Sequence, residues 1–118
     1  MLNFTQPIGV MFMGVLGHVA ESDEIRSLVA RVMNAVPSGS YLALWDSNDT
    51  NKAFVELCER YTATGGVPYI PRSIEQIGRC FAGLEMVEPG LVSITQWRPE
   101  VGTVEPMDAT SGAVARKP

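Results

Sequence analysis

An almost continuously apolar run near the N-terminus, PIGVMFMGVLGHV from Pro7 to Val19, constrains the fold more than any other feature. It is short, bounded by polar turns and interrupted by glycines at positions 9, 14 and 17, which disfavours a buried helix. Such a run is typical of a strand buried on both faces, as in parallel sheets covered by helices. We therefore predict a strand at Ile8–Leu16. We also expect Val15→Asp to prevent folding, because it would bury an unpaired charge.

The segment after this run predicts an amphipathic helix followed by a second strand. Ser22 or Asp23 can cap the helix, and Pro37 and Gly39 end it. Apolar residues recur between them at helical spacing: Ile25, Leu28, Val29, Val32, Met33 and Val36. The stretch SYLALWDSND then predicts a strand at Tyr41–Trp45. Strand, helix and strand with tight connections indicate a right-handed parallel crossover.

Two further helices are expected in the middle of the chain. A second amphipathic helix is predicted from about Asn51 to Tyr61, before a loop that contains two adjacent glycines. A short third helix should begin at a capping box formed by Ser73 and Gln76, with Gly83 at its C-terminal cap.

The remainder of the sequence predicts short strands. Glu85–Val87 and Leu91–Trp97 are strand-like, and Pro89-Gly90 between them suggests a bend or a bulge. By its own pattern, Ala113–Arg116 fits either a frayed tail or a terminal strand.

Size and charge restrict the function classes. The chain has 118 residues, enough for one small domain that buries roughly two thirds of its unfolded surface, and no linker divides it. The net charge is −4 and the nine basic residues are scattered singly. Nucleic acids and anionic membranes both require clustered Lys and Arg, so neither is an expected partner.

The cysteines and the N-terminus indicate a cytoplasmic protein. Cys58 and Cys80 have no CxxC spacing and no neighbouring histidine, which favours free core thiols, although one disulfide stays open. No basic segment precedes the apolar run, and its roughly nine uninterrupted apolar residues fall short of the ~20 that a membrane helix needs.

Four sequence blocks resemble successive parts of an actinobacterial family of S-adenosylmethionine-dependent methyltransferases, first catalogued as a domain of unknown function. They are LNFTQPIGVMFMGVLGHV, PSGSYLALWDSND, PRSIEQIGRCFAGLEMVEPGLVSITQWRP and the closing GAVARKP. The element order also resembles the second half of a class I methyltransferase. The resemblance implies a three-layer, Rossmann-like α/β fold with parallel strands, and it makes Ala113–Arg116 a terminal antiparallel strand.

The first half of such an enzyme has no counterpart in the sequence. Class I enzymes hold the cofactor against a Gly-rich turn after the first strand and an acidic residue ending the second. The sequence has no GxGxxG pattern, and its aspartates are read as turn residues. We therefore interpret residues 1–118 as a single partial domain that begins at the fourth strand, through truncation of a reading frame or cutting of the polypeptide.

Ligands of parallel sheets bind at the carboxyl ends of the strands, which points to Gly14–His18 and Trp45–Asn48. The expected S-adenosylmethionine contacts are Gly14, Val15, Leu16 and His18, and the expected substrate contacts are Trp45 and Asp46. His18 and Asp46 fit a general base, but a backbone-satisfied histidine and a turn or capping aspartate are favoured, so no catalytic residue is assigned. Tyr69 with Arg72 fits either a polar lid or a solvated loop. No metal site is expected.

These features support three functional hypotheses. The first is a truncated methyltransferase for a small-molecule acceptor, binding S-adenosylmethionine weakly and inactive alone. The second is a non-enzymatic α/β interaction module that forms a homo-oligomer, such as a symmetric dimer, or pairs with a complementary N-terminal half. The third is a small-ligand sensor of unrelated α/β type.

Overall fold

Four strands form one mixed sheet in the computed structural model, which describes residues 3–100, 102 and 104–118. In chain order the elements are β1 Gly9–Met13, α1 Ser22–Ala35, β2 Tyr41–Ser47, α2 Lys52–Ala63, α3 Ile74–Arg79, β3 Glu85–Met86 and β4 Thr110–Arg116, with short 3₁₀ turns at Leu16–His18 and Ile94–Gln96. The strand order is β1-β2-β4-β3. Within these ranges, none of the helices is both long and apolar enough to cross a membrane.

The strand pairing confirms the predicted topology. β1 runs parallel to β2, from Gly9 opposite Tyr41 to Met13 opposite Trp45. β4 runs antiparallel to β2 and, on its other side, antiparallel to β3. The last strand of the chain is therefore inserted between two earlier ones, as the resemblance implies.

Several strand boundaries differ from the predicted ones: β1 starts at Gly9, β2 extends to Ser47 and β3 ends at Met86, and larger differences occur at the end of β1 and the start of β4. β1 ends at Met13 because Gly14 has a φ of +70°, a left-handed conformation that suits glycine and turns the chain out of the strand. β4 starts at Thr110, three residues before the predicted Ala113, since the polar residues that precede it also pair with β2.

The core lies on one face of the sheet, under α1 and α3. Its side chains come from alternate strand positions, from the predicted stripe of α1, and from α3 and the turn after it: Leu42, Leu44, Ala113 and Ala115; Ile25, Val29 and Met33; Ile77, Cys80 and Phe81. The predicted capping box of Ser73 and Gln76 is present at the start of α3. The helix ends at Arg79, and the chain continues through turns to Gly83, whose φ is +81°.

The opposite face of the sheet carries little cover within the described residues. The 3₁₀ turn Ile94–Gln96 and Trp97 lie over its β4 side, while Met11 on β1 is 71% exposed. The expectation that the first strand is buried on both faces is therefore wrong for this chain. Val15 lies beyond the strand and is 51% exposed, so the expected folding defect of Val15→Asp loses its physical basis.

Two helix predictions need correction. α1 is capped by Glu21 without a side-chain hydrogen bond, and the Ser22 hydroxyl accepts from Arg72 Nε instead. α2 forms as predicted, with Asn51 accepting from Phe54 N–H, but none of its residues is buried. Cys58 on α2 is consequently half-buried and not a core residue. Cys80 is buried, and both cysteines are free.

The strand predicted at Leu91–Trp97 is wrong. Val92 alone bridges to Gly112, after a tight turn closed by Gly90 N–H donating to Val87 O at the predicted bend. The following polar side chains bond to carbonyls of residues 104–107, which favours a 3₁₀ turn over a strand. These bonds run from Ser93 to Met107, from Thr95 to Glu105 and from Gln96 to Val104.

Candidate functional site

The carboxyl ends of β1 and β2 lie side by side and bring together the two segments predicted to form the site. Gly14 N–H donates to Trp45 O across 2.9 Å, immediately after β1 ends. The chain then folds into the 3₁₀ turn Leu16–His18, directly beside the end of β2. Both predicted site segments therefore lie at one edge of the sheet.

Asp46 joins these segments through its carboxylate. The side chain is 4% exposed and accepts from Leu16 N–H (2.9 Å), Ser47 N–H (2.8 Å) and the Tyr69 hydroxyl. The residue lies within β2, so its interpretation as a turn residue or helix cap is wrong. All three donors come from the protein itself, and the carboxylate therefore holds the Leu16 turn in position.

Two glycines of the turn make room for aromatic rings. A Cβ at Gly14 would lie 2.7 Å from Trp45 Cη2, and a Cβ at Gly17 would overlap the Tyr69 ring. Neither position has room for a Cβ atom. The missing side chains at these glycines are thus used for internal packing and do not leave a cradle for a ligand.

His18 is exposed and anchored to the backbone. Its Nδ1 lies 2.9 Å from the carbonyl oxygen of Pro68, and its ring meets the Tyr69 ring edge-on, with centroids 5.1 Å apart. A carbonyl oxygen can only accept, so Nδ1 carries a proton and donates to Pro68. This arrangement matches the favoured interpretation of a backbone-satisfied histidine.

Arg72 is buried, although the sequence predicted it in a lid or a solvated loop. It is 3% exposed, so it forms no lid and no solvated loop. Its guanidinium donates to the Ser22 hydroxyl and to four carbonyl oxygens, those of Leu16, Val19, Ala20 and Ile70. The only sequence signal was an arginine between Pro71 and the helix-capping Ser73, which does not reveal such long-range bonds.

Burial and the Asp46 carboxylate keep the neighbouring acidic groups protonated. Burial, followed by the hydrogen bond to Asp46, raises the pKa of Tyr69 to about 12. Burial, followed by the Asp46 charge, raises the pKa of Cys80 to about 11, and burial together with Glu59 raises the pKa of Cys58. A raised thiol pKa disfavours the thiolate, so neither cysteine is suited to nucleophilic chemistry.

An apolar groove of about 480 Å³ separates α2 from the segment 68–71. Val55, Cys58 and Ala63 line one wall, and Pro68 and Ile70 line the other. Pro68 also accepts the hydrogen bond of His18, so the groove adjoins the turn after β1. In the described part of the chain, no three His, Cys, Asp or Glu side chains are grouped to hold a metal ion.

Comparison with known proteins identifies the family. A family model described as S-adenosyl methyltransferase matches residues 1–118. The chain belongs to the S-adenosyl methyltransferase family. No curated protein matches it.

Two solved structures at about 30% identity share the fold. A Streptomyces avermitilis protein from a family of unknown function is 31% identical, with a TM-score of 0.88, and the match covers 99% of this chain and 47% of that protein. A candidate methyltransferase from Thermobifida fusca is 30% identical, with a TM-score of 0.85, over 99% of this chain and 46% of that protein. The chain thus spans about half the length of these relatives.

A more distant structure supports the fold alone. A Methanosarcina mazei S-adenosylmethionine-dependent methyltransferase is 12% identical, with a TM-score of 0.62, and the match covers 92% of this chain and 58% of that one. The predicted Rossmann-like α/β class and the predicted family are therefore both confirmed.

The methyltransferase family implies S-adenosylmethionine, and the residues at this edge fit only one side of such a molecule. Val15 and His18 expose their side chains there, whereas Leu16 is 3% exposed and its N–H is taken by Asp46. Asp46 is 4% exposed and its carboxylate already accepts three internal hydrogen bonds, so it is not presented to a ribose hydroxyl. The described residues thus offer a wall and not a complete binding site.

Proposed function

We propose that this chain is the acceptor-side half of an S-adenosylmethionine-dependent methyltransferase, which neither holds the cofactor tightly nor transfers a methyl group alone. The family match supports the reaction class. In this proposal, the chain contributes a rigid turn at the carboxyl end of β1, which forms one wall of the cofactor site.

The observation that carries the proposal is the double fixation of that turn. Asp46 binds the amide of Leu16, and Arg72 binds the carbonyl of the same residue at 3.1 Å. Because the N–H and C=O of Leu16 are both bonded, the turn loses little conformational entropy when a ligand packs on it. This favours a preorganised binding wall. Gly14, Val15 and His18 are presented by this wall, with Leu16 as its buried anchor.

Weak cofactor binding follows from what the sequence lacks. A Gly-rich turn and a ribose carboxylate would each supply charge-assisted or close-packed contacts, and neither has a candidate residue here. Each tenfold loss of affinity corresponds to about 1.4 kcal/mol, so two or three missing contacts move a micromolar site beyond millimolar.

Trp45 and Asp46 have different proposed roles toward the methyl acceptor. Trp45 is half-buried, two residues before the end of β2, and is proposed as a wall for a small molecule. Asp46 is enclosed by its donors, so it acts on the acceptor side through the position of the Leu16 turn and the Tyr69 hydroxyl.

Isothermal titration of the purified chain with S-adenosylmethionine and S-adenosylhomocysteine tests the proposal. We expect no saturation below about 1 mM, and no transfer of labelled methyl to a panel of small hydroxyl- and amine-bearing acceptors. Saturable micromolar binding to the monomeric chain would refute the proposed half-site.

A second candidate function is a non-enzymatic module that self-associates. It is favoured by the position of β1 at the edge of the sheet and by the exposure of Met11. Light scattering on the pure chain at 10–500 µM, taken as roughly the range of weak protein association, separates a stable dimer from a monomer.

A further inference from the structure

The apolar groove between α2 and the segment 68–71 has the dimensions of a small-molecule site. Its volume of about 480 Å³ lies within the range of roughly 300–1,000 Å³ that is typical of ligand pockets. We call it the α2 groove and define it by six of its lining residues: Val55, Cys58, Glu59, Ala63, Pro68 and Ile70. An apolar recess of this size on a protein surface commonly marks a binding site.

The wall formed by residues 68–71 is fixed against the turn that follows β1. Ile70 N–H donates to Gly17 O at 2.7 Å. Pro68 O accepts from His18 Nδ1 at 2.9 Å, and the Tyr69 ring packs against Gly17. This wall therefore needs no rearrangement to receive a ligand. It is also joined directly to the turn that we propose as one wall of the cofactor site.

The opposite wall is a helix that packs little of its apolar side against the rest of the chain. α2 presents Val55, Cys58 and Ala63 to the groove, but none of its residues is buried. The hydroxyl of Thr62, which also lines the groove, donates to Cys58 O at 3.1 Å and is satisfied within the helix. An amphipathic helix is stabilised when its apolar side is covered, and a ligand in the groove would provide that cover.

The charges around the groove restrict the ligand to one class. Among the described residues that line it, Glu59 alone carries a charge, and no Lys or Arg is present. The Glu59 carboxylate belongs to neither of the ion pairs in the described part of the chain. Burial raises the pKa of Tyr69 and of Cys58, so both stay neutral. The groove therefore complements an apolar molecule with a positively charged end and disfavours a carboxylate.

The extent of the groove favours a small molecule over a polypeptide. Nine residues line it. A stable protein–protein interface uses roughly 20–30 residues on each side, so a second copy of this chain would have to extend far beyond the groove. A compact ligand can instead contact both walls at once.

We propose that the α2 groove binds a small molecule with an apolar body and an ammonium group, the body lying between α2 and the segment 68–71 and the ammonium beside Glu59. The inference rests on the proposed function in one respect: because the groove adjoins His18, this ligand is the methyl acceptor. Binding itself requires neither the cofactor nor a second polypeptide, so the isolated chain is the material for the test.

Tryptamine is the probe, and indolepropionate is the matched anion. NMR titration of the isolated chain follows the methyl signals of Val55, Ala63 and Ile70. We expect saturable shifts for tryptamine with a Kd on the order of 1 mM, as suits a ligand of this size. Indolepropionate should bind at least about 3-fold more weakly, because Glu59 repels it. Bound tryptamine should also slow alkylation of Cys58, with the buried Cys80 as the internal reference.

Two substitutions on α2, each with a matched control on the same helix, locate the site. Glu59→Gln should abolish most of the preference for tryptamine, whereas Glu56→Gln, outside the groove, should preserve it. Ala63→Trp should weaken tryptamine binding about 10-fold by occupying the groove, and Ala53→Trp should not. All four positions are exposed, so each variant should keep the melting temperature of the wild type.

Four results would overturn the assignment of the groove. The first is no saturable shift of the three methyl signals at tryptamine concentrations about 10-fold above the expected Kd. The others are equal affinity for indolepropionate, a Glu59→Gln variant that behaves as Glu56→Gln does, and a chain that dimerises through α2 and protects Cys58 without ligand. Titration with S-adenosylmethionine is read separately: micromolar binding by the monomer would refute the proposed half-site and leave the groove assignment standing.

Discussion

Two side chains hold the backbone of Leu16. Its N–H donates to Asp46 Oδ2 at 2.9 Å, and its carbonyl oxygen accepts from Arg72 Nη1 at 3.1 Å. Asp46 belongs to β2, and Arg72 lies just before α3. One turn at the carboxyl end of β1 is thus tied to two elements distant in sequence, and its geometry depends on buried polar groups.

Asp46→Asn should destabilise the protein by about 1–3 kcal/mol. Leu16 N–H and Ser47 N–H donate to different oxygens of the carboxylate, so the NH₂ group of asparagine faces one of them, and at least one donor loses its partner. Urea unfolding followed by circular dichroism measures the loss. Asp49→Asn, at an exposed neighbouring position, is the matched control and should change stability by less than about 0.5 kcal/mol. Equal effects of the two substitutions would contradict the role of Asp46.

Arg72→Met should cost about 3 kcal/mol, because it leaves several carbonyl oxygens without their donor in a buried region. Arg72→Lys should recover only part of this, since an ammonium does not reproduce the planar fork of the guanidinium. Arg79→Met removes an exposed ion pair with Glu75 and is expected to cost about 0.5 kcal/mol or less. An Arg72→Met variant as stable as Arg79→Met would show that the buried bonds contribute nothing.

Local patterns predicted the elements of this fold well. The helical spacing from Ile25 to Met33 and the capping box at Ser73 each depend on neighbours in sequence, and the structure confirms them. The parallel pairing of β1 with β2 follows from the helix α1 that connects them. The terminal strand β4 was predicted only through the family resemblance. Its seven residues at the end of the chain show little hydrophobic periodicity of their own.

Local patterns could not predict the long-range hydrogen bonds or the exposure of one face of the sheet. Arg72 bonds to residues more than fifty positions away, and an isolated arginine in a sequence gives no sign of them. The exposure of Val15 and Met11 depends on what covers the sheet, which the apolarity of β1 itself does not specify. The expected cofactor and substrate contacts at Gly14–His18 and Trp45–Asp46 remain predictions.

Gly14→Ala should destabilise more than an ordinary left-handed glycine replacement. Gly14 and Gly83 have similar φ values, +70° and +81°, but only the Cβ at Gly14 would collide with another residue, 2.7 Å from Trp45 Cη2. Gly83→Ala should therefore cost about 1 kcal/mol from backbone strain, and Gly14→Ala at least about 1 kcal/mol more.

The double variant Gly14→Ala/Trp45→Phe isolates the steric part of this effect, since phenylalanine lacks the distal indole ring. A coupling energy near zero in this cycle would argue against the predicted collision between residue 14 and Trp45.

Val15→Asp should fold, with a change in stability within about 0.5 kcal/mol, because Val15 is 51% exposed. This reverses what the sequence pattern alone suggests. Val29→Asp is the matched contrast, since Val29 is 1% exposed and an unpaired carboxylate there should abolish cooperative folding. Thermal melts of the two variants decide the point, and an insoluble Val15→Asp protein would restore the expectation of a buried first strand.

Stability should fall at alkaline pH because the buried Cys80 and the half-buried Tyr69 hold their protons more tightly in the folded state. The pKa of Cys80 rises from 9.0 to about 11, and that of Tyr69 from 10.0 to about 12, both chiefly through burial. Unfolding at high pH therefore releases protons, so the stabilisation is complete below pH 9 and decreases as pH rises through 9–11 and then 10–12. Cys80→Ala should flatten the first part of this decline and Tyr69→Phe the second, as measured by urea midpoints at successive pH values. A wild-type midpoint that is constant or rises over this interval would contradict both assignments.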